Sequence, residues 1–171
     1  MQMPKVAIIL ASDSDLAVMS DAIKVLEEFK VEYLVTISSA HRSPSQTIEY
    51  VKKAQSSGIK VIIASAGLAA HLAGVIAAHF PLPVIGVPIK TGALNGVDAL
   101  YSTVQMPPGV PVATVAIDGA KNAGILAVQI LATSDKNLEE KLIDYKKKMA
   151  ESVSDKAVKL KEKGWQNYSK D

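Results

Sequence analysis

Short apolar runs rich in β-branched residues alternate with segments of helical period, and this alternation limits the fold more than any other feature of the chain. Each run is almost continuously apolar, as in strands that are buried on both faces of a parallel sheet. The five predicted strands are Val6–Leu10, Tyr33–Ile37, Val61–Ala64, Val84–Val87 and Val112–Ala116. The predicted helices that alternate with them are Asp15–Phe29, Pro44–Gln55, Ala69–Phe80, Val97–Gln105 and Asn122–Ala132.

Strands that alternate with helices form βαβ units with right-handed crossovers. The pattern therefore predicts an α/β fold of three layers (α/β/α) around a doubly wound, parallel, five-stranded sheet. Our first expectation for the topology is the flavodoxin-like strand order 2-1-3-4-5. From Asp135 onward, apolar residues at spacings of three and four predict a long charged helix, either continuous or broken once. We expect a catalytic domain over residues 1–134 and a C-terminal helical extension of the same domain over 135–171.

Capping residues mark two of the helix starts. Ser14 is expected to cap the first helix, and Ser43 and Gln46 around Pro44 have the spacing of a capping box. Three prolines between residues 107 and 111 exclude both a helix and a central strand there, which predicts a rigid loop.

Composition excludes several classes of protein. The chain has no cysteine, so disulfides, a thiolate nucleophile and a Cys-ligated metal are all excluded. Its first residues resemble no secretory signal, and no apolar run approaches the roughly 20 residues of a membrane span. Ten of the 19 basic residues follow Ser134 together with eight acids, so they form no patch of one sign for nucleic acid. We expect a cytoplasmic protein that binds neither membrane nor nucleic acid.

Polar side chains collect in the loops that follow the first three predicted strands. These loops are residues 11–15, 38–44 and 65–71. In an open parallel sheet, ligands bind outside the carboxyl ends of the strands. Ser12 and Ser14 at a helix N-terminus suit a phosphate, and Asp15 suits ribose hydroxyls, although all three could simply cap the helix.

The second of these loops contains the clearest candidate for acid–base chemistry. His41 lies in a polar turn, and an unperturbed histidine pKa of about 6.5 suits proton transfer near neutrality. Arg42 beside it suits binding of a phosphate or carboxylate. The alternative is that His41 is a surface histidine next to a solvated arginine and has no function. His71, at the start of the third helix, could face the same pocket, whereas His79 is expected to cap that helix or pack in the core. These last two lie too far apart along a helix to share a metal ion.

Six segments spread over almost the whole chain resemble the PurE family, the N5-carboxyaminoimidazole ribonucleotide mutases. They are Ser12–Asp15, Ser39–Pro44, Ala69–Leu72, Pro83–Pro88, Val104–Thr114 and Asn122–Ala123. The combination of SAHR with VQMP is similar to the mutase class rather than to the class that carboxylates with free CO₂. The resemblance implies transfer of a carboxyl group from the exocyclic nitrogen to ring carbon 4 of an aminoimidazole ribonucleotide in purine biosynthesis, without a metal or organic cofactor.

Site roles also follow from this resemblance. By family position His41 would carry the ring proton, Ser12, Ser14 and Arg42 would hold the phosphate and carboxylate end, and Asp15 would bind the ribose. The further residues that it places around the substrate are Ser39, Ala40, Gly67, Ala69, Ala70, His71 and Leu72. The family also forms octamers, and the apolar residues of the C-terminal segment offer a surface for such a homo-oligomer.

The chain departs from the family pattern at four positions. Ala11, Ser65 and Leu68 replace glycines, and Ala73 replaces a proline. If position 68 requires a positive φ, leucine costs on the order of 1–2 kcal/mol there. Either the loop has shifted while the chemistry persists, or the activity is altered; we favour persistence because the polar motif residues remain. The alternatives are direct carboxylation of the same ribonucleotide with CO₂ and a non-catalytic nucleotide- or flavin-binding module.

Overall fold

The predicted sheet and its strand order are confirmed by the computed structural model, which describes residues 3–168. All strand pairs are parallel and the order is β2-β1-β3-β4-β5. The strands are β1 (Val6–Leu10), β2 (Tyr33–Ile37), β3 (Val61–Ala66), β4 (Val84–Pro88) and β5 (Ala113–Thr114). The α-helices are α1 (Leu16–Glu28), α2 (Pro44–Ser56), α3 (Leu72–His79), α4 (Val97–Val104), α5 (Ala120–Ala132) and α6 (Lys136–Lys163).

Burial along the strands explains their apolar sequences. Every residue of β1, β3 and β4 is buried, because these central strands are covered on both faces. The edge strand β2 is less covered, and Leu34, Val35 and Ile37 are exposed. The strand β2 lies on one side of β1, and the next strand in the chain, β3, lies on the other side. The strand order therefore reverses between β1 and β3. That reversal opens a crevice at the carboxyl ends of these strands.

Helices cover the two faces of the sheet. On one face, apolar residues of α2, α3 and α4 share a core with inward residues of β1 and β3. On the other, Gly124 of α5 lies so close to α1 that a β-carbon would come within 3.1 Å of Ala22 and Val25. The close approach of these two helices therefore requires glycine at this position. The helices on both faces hold the strands whose carboxyl ends form the crevice.

Most predicted boundaries lie within two residues of the observed ones, and the last strand and the third helix differ most from their predicted lengths. The last strand, expected over Val112–Ala116, is only Ala113–Thr114, because it is an edge strand that follows Pro111 and pairs with β4 alone. Helix α3 begins at Leu72 rather than Ala69, and the residues just before it form a turn in which the His71 N–H donates to the carbonyl oxygen of Ala69 at 2.9 Å.

The expected cap of the first helix was wrong, and that of the second is confirmed in position but not in its hydrogen bond. Ser12, not Ser14, is the capping side chain, and it accepts a hydrogen bond from the Ser14 N–H at the start of a 3₁₀ turn over Asp13–Asp15. Ser43 does occupy the N-cap position of α2 with Pro44 in its first turn, but its side chain makes no capping bond. Its hydroxyl instead bonds within the preceding loop, where it donates to the Ser39 carbonyl.

The chain divides into two compact units, residues 1–131 and 132–171. The second unit consists mainly of α6, which is continuous over 28 residues, so the alternative of a broken helix was wrong. Asp135 caps it by accepting a hydrogen bond from the Leu138 N–H. The end of the predicted extension, residues 169–171, lies outside the described residues. No helix among those described has both the length and the apolar character needed to span a membrane.

Candidate active site

A cavity of about 600 Å³ lies at the carboxyl ends of the parallel strands, within the first unit. It brings together the three loops whose convergence the sequence predicted. Eleven of the twelve candidate residues line it: Ser12, Ser14, Asp15, Ser39, Ala40, His41, Arg42, Gly67, Ala69, His71 and Leu72. The remaining one, Ala70, is buried in the core and is not part of the cavity lining.

The first loop forms a compact cluster of hydroxyl groups. The Ser14 hydroxyl donates to the Ser12 hydroxyl oxygen at 3.0 Å, and the Ser14 N–H donates to Oδ1 of Asp13 at the same distance. The hydrogen bond from the Ser12 hydroxyl lowers the pKa of the exposed Asp13 carboxyl, with smaller help from the backbone N–H of Ser14. Both serine hydroxyls lie at the mouth of the 3₁₀ turn, where an anionic group would meet hydrogen-bond donors.

Arg42 connects the second loop to the first. Its Nη2 donates to the carbonyl oxygen of Ala11 at 2.9 Å, and its Nε donates to the hydroxyl of Ser39 at 3.4 Å. Two of the five guanidinium N–H donors are thereby used to orient the group, and the others remain available to a ligand. An oriented, permanently charged fork beside the serine cluster is suited to a phosphate or carboxylate.

Two histidines meet across the cavity. His41 Nε2 lies 2.8 Å from His71 Nδ1, and the two rings are perpendicular with their centres 4.9 Å apart. One nitrogen must donate and the other accept, so the pair shares one proton along this contact.

His79 is exposed at the end of α3 and lines no part of this cavity, so the alternative that it packs in the core was wrong. Within residues 3–168, no group of three or more histidine, aspartate or glutamate side chains could hold a metal ion.

Asp15 is the buried acid of the site. Only 4% of it is exposed, although it was expected in an open polar loop. Burial raises the pKa of this carboxyl, and hydrogen bonds, chiefly from the Ser65 hydroxyl, oppose that shift. Ser65 Oγ donates to Oδ2 at 3.1 Å, while Ser14 Oγ lies 3.5 Å from Oδ1. The departure from the family at Ser65 thus places a hydroxyl beneath the carboxyl group.

Leu68 takes the strained conformation that its position was suspected to require. Its φ is 56°, and the side chain is about half exposed and lies over Gly92. A β-carbon on Gly67 would collide with the Cγ2 atom of Thr91. The backbone of the loop after β3 therefore packs directly against a side chain of the loop after β4. Leu68 forms part of the cavity wall.

The loop after β4 was missing from the predicted site. Ile89, Lys90 and Thr91 line the cavity, and Asp118 holds this loop by accepting a hydrogen bond from the Lys90 N–H at 2.8 Å. The rule that ligands bind outside the carboxyl ends of parallel strands could have predicted this loop, because β4 is adjacent to β3 and ends at the same edge of the sheet. Val18 and Ala66 also line the cavity. The sequence did not predict them, because that prediction followed polar side chains and these two are apolar.

The family profile described as AIR carboxylase matches residues 5–152, and this range includes every residue of the cavity. The chain belongs to the AIR carboxylase family. The resemblance to PurE noted in the sequence is thereby confirmed, and the alternative of a flavin-binding module is not favoured.

Relatives within the AIR carboxylase family carry two different names. A Pyrococcus horikoshii protein named N5-carboxyaminoimidazole ribonucleotide mutase is 58% identical over 96% of this chain and 93% of its own length. A Thermotoga maritima protein of the same name is 55% identical over 97% of both chains. A Schizosaccharomyces pombe protein named phosphoribosylaminoimidazole carboxylase is 56% identical over 97% of this chain, which spans 30% of that longer protein. The crystal structure of Treponema denticola PurE superposes with a TM-score of 0.85 at 28% identity, covering 92% of this chain and 99% of that one.

Replacing Asp15 with asparagine is expected to stabilise the fold at neutral pH. Burial raises the folded-state pKa of Asp15 above the ordinary value of an aspartate, so folding opposes ionisation of this group. The variant's advantage should be absent below the unfolded-state pKa, appear as the pH rises through the folded-state pKa, and be complete at pH 7. Urea unfolding midpoints at pH 3 and pH 7 measure it, with the exposed Asp21→Asn as the control. A variant that is less stable than the parent at pH 7 would contradict the account.

Replacing Leu68 with glycine is expected to raise the free energy of unfolding by up to about 1 kcal/mol. Relief of the left-handed conformation outweighs the extra backbone entropy of glycine in the unfolded chain. Leu68→Ala is the matched control, since it removes the contact with Gly92 but keeps the β-carbon that causes the strain. Denaturant unfolding compares the three chains, and an alanine variant more stable than the glycine variant would show that φ strain is not the cause.

Proposed function

We propose that this chain is an isomerase of de novo purine biosynthesis that moves a carboxyl group within carboxyaminoimidazole ribonucleotide, from the exocyclic nitrogen to ring carbon 4. The observation that carries the proposal is that one cavity contains a histidine, a buried carboxyl group and a set of groups suited to an anion. These are His41, Asp15, and the hydroxyls of Ser12 and Ser14 with the guanidinium of Arg42. The family and the high identity to relatives named as mutases over nearly the full length of both chains support the same reaction.

We expect the ribonucleotide to bind with its phosphate at the first two loops. Ser12, Ser14 and Arg42 supply hydroxyl donors and a fixed positive charge there, which suits the phosphate. The buried carboxyl group of Asp15, which lines the same cavity, would accept hydrogen bonds from the ribose hydroxyls. The imidazole ring then lies between His41 and the loop after β3.

Small residues form the wall around the ring. Ala40, Gly67 and Ala69 leave room for the backbone to approach the ring closely, and Leu72 closes the floor. Water exclusion at this wall favours retention of a CO₂ molecule between its release and its recapture. Ser39 supports this wall by accepting a hydrogen bond from Arg42, whereas Ala70 packs in the core.

The chemistry needs one proton carrier. The bond between the exocyclic nitrogen and the carboxyl carbon breaks, its electron pair stays on nitrogen, and His41 delivers a proton there while CO₂ remains in the pocket. Ring carbon 4 then attacks CO₂ to form the new carbon–carbon bond, and neutral His41 removes the proton from that carbon. His41 ends in its starting protonation state, so the sequence balances without an external acid or base. The contact with His71 provides a partner that orients the imidazole.

Direct carboxylation of the aminoimidazole ribonucleotide with CO₂ is the second candidate, favoured by the 56% identity to a yeast protein named as a carboxylase. The two reactions share a product, so the test must separate the substrates. Purified chain is given either the N-carboxylated ribonucleotide or the uncarboxylated one at low bicarbonate, and product formation is followed by ultraviolet absorbance. Turnover of the N-carboxylated substrate alone supports the mutase, whereas turnover of only the other substrate contradicts it.

We further propose a cytoplasmic homo-octamer. Several large apolar side chains are exposed on each of β2, α4 and α6. Those on α6 are Ile143, Met149, Val153, Val158 and Leu160. Such surfaces favour association between copies of one chain. Static light scattering is expected to give eight times the chain mass of 18.1 kDa, and a monomer would contradict the assembly.

A further inference from the structure

Ser65 is a fully buried hydroxyl at the base of the cavity. It lies near the end of the central strand β3, paired with Leu10 on one side and Val87 on the other. Its carbonyl oxygen accepts a hydrogen bond from the Ala11 N–H at 3.0 Å, which ties its backbone to the start of the first loop. The backbone of Ser65 is thus fixed by three strands, and its hydroxyl has a defined direction.

That hydroxyl donates to Asp15 at 3.1 Å, across 50 positions of sequence. Asp15 is almost as buried as Ser65, and within residues 3–168 no basic side chain makes a salt bridge with it. The charged and titratable side chains around the same cavity are His41, Arg42, His71 and Lys90, with Asp13 two positions away along the chain. Ser65 therefore makes the shorter of the two side-chain hydrogen bonds to a carboxylate that, among the described residues, forms no salt bridge.

We propose that Ser65 is a positioning residue that holds Oδ2 of Asp15 and thereby turns Oδ1 toward the ribose hydroxyls of the substrate. Removing this contact takes away a charge-assisted hydrogen bond at a buried position and leaves the carboxylate held by the longer Ser14 contact and by backbone hydrogen bonds at Ser12 and Ala11. The Ser65 contact fixes Oδ2, while Oδ1 has only the 3.5 Å contact with Ser14 and can also accept a hydrogen bond from the ligand. This inference deepens the proposed function, on which it rests for the identity of the ribose-bearing ligand.

The first test is a double-mutant cycle on binding of the product carboxyaminoimidazole ribonucleotide, measured by titration calorimetry. Ser65→Ala is expected to weaken binding about tenfold and to raise KM similarly, with kcat changed by less than about threefold, because only a binding contact is lost. In the Asp15→Asn background, the same Ser65→Ala change is expected to have little further effect. Full additivity of the two changes would overturn the proposal, since Ser65 would then act independently of Asp15.

Thr47→Val is the matched control. It removes another buried hydroxyl partner, the one that contacts Ser38 at 2.7 Å, while leaving the Asp15 carboxyl group untouched. We expect the ribonucleotide Kd of Thr47→Val to stay within about twofold of the parent. A loss of affinity as large as that of Ser65→Ala would attribute the effect to general weakening of the fold and overturn the positioning role.

A second measurement needs no substrate. The carboxyl titration of Asp15, followed by carbon-detected NMR on the intact chain, is expected to move to higher pH in Ser65→Ala, because a hydrogen bond to the ionised form is lost. An unchanged titration would overturn the inference even if binding were weakened. A parent chain that binds the ribonucleotide but converts neither substrate would contradict the proposed function alone and leave the Ser65 result standing.

Discussion

Replacement of His41 by asparagine is expected to lower kcat by about 10²–10⁴-fold, the usual contribution of a positioned acid or base. Asparagine keeps a hydrogen-bonding side chain near His71 but cannot carry a proton near neutral pH. Binding of the ribonucleotide should change little, because the phosphate and ribose contacts come from other residues. Steady-state kinetics with the N-carboxylated ribonucleotide, together with calorimetry on the product, measures both quantities.

His79→Asn is the matched control for this prediction. The chain has three histidines, and His79 is exposed at the end of α3 and outside the cavity lining. It should leave kcat and KM close to their parental values. A His41→Asn enzyme that retains full turnover would remove His41 from the mechanism, and an equal loss in both variants would indicate a nonspecific effect.

Replacement of Arg42 by alanine is expected to weaken ribonucleotide binding about 100-fold. Charge-assisted hydrogen bonds contribute roughly 1.5–3 kcal/mol each, and the guanidinium also links the first two loops through its contact with the Ala11 carbonyl. Arg42→Lys should recover only part of the affinity, because an ammonium group cannot contact Ser39, Ala11 and a phosphate together. Calorimetric Kd values for the parent and both variants test this order.

Lys24→Ala serves as the control for charge alone. Lys24 forms an exposed pair with Asp21 on α1, so its removal takes away one positive charge without altering the cavity. The ribonucleotide Kd of this variant should be nearly unchanged at physiological ionic strength. Equal Kd values for Arg42→Ala and the parent would show that the phosphate is bound elsewhere.

The sheet could be predicted because burial on both faces leaves a direct record in sequence. The continuous apolar runs of β1, β3 and β4 correspond to strands with every residue buried. The edge strands were harder to delimit, since β5 makes only two register pairs with β4 and depends on where Pro111 ends the preceding loop. The strand order was a first expectation taken from the flavodoxin-like fold for five strands, and no residue of the sequence indicates it, although the structure confirms it.

The site could be located from sequence because polar residues concentrate at the carboxyl ends of adjacent strands. What the sequence did not reveal was distance and burial. The meeting of His41 with His71 depends on where α3 begins, and that start was predicted three residues too early. The deep burial of Asp15 depends on the 3₁₀ turn that directs its side chain inward, and the pattern Ser-Asp-Ser-Asp is equally compatible with an exposed cap.

The departures from the family pattern were noticed as residues, but their consequences required coordinates. Leu68 was suspected of strain because only glycine adopts a positive φ without cost, and the observed φ of 56° agrees with that suspicion. Ser65 gave no such signal, because nothing local in the sequence relates it to a carboxylate 50 positions away. Long-range side-chain pairs of this kind follow from topology rather than from motif spacing.

The most direct test of the whole arrangement is a crystal structure of the chain soaked with the product ribonucleotide. We expect the phosphate within hydrogen-bonding distance of Ser12 and Arg42, a ribose hydroxyl on Oδ1 of Asp15, and ring carbon 4 next to the imidazole of His41. A nucleotide bound in the opposite direction, with its phosphate beside the two histidines, would contradict this account of the site.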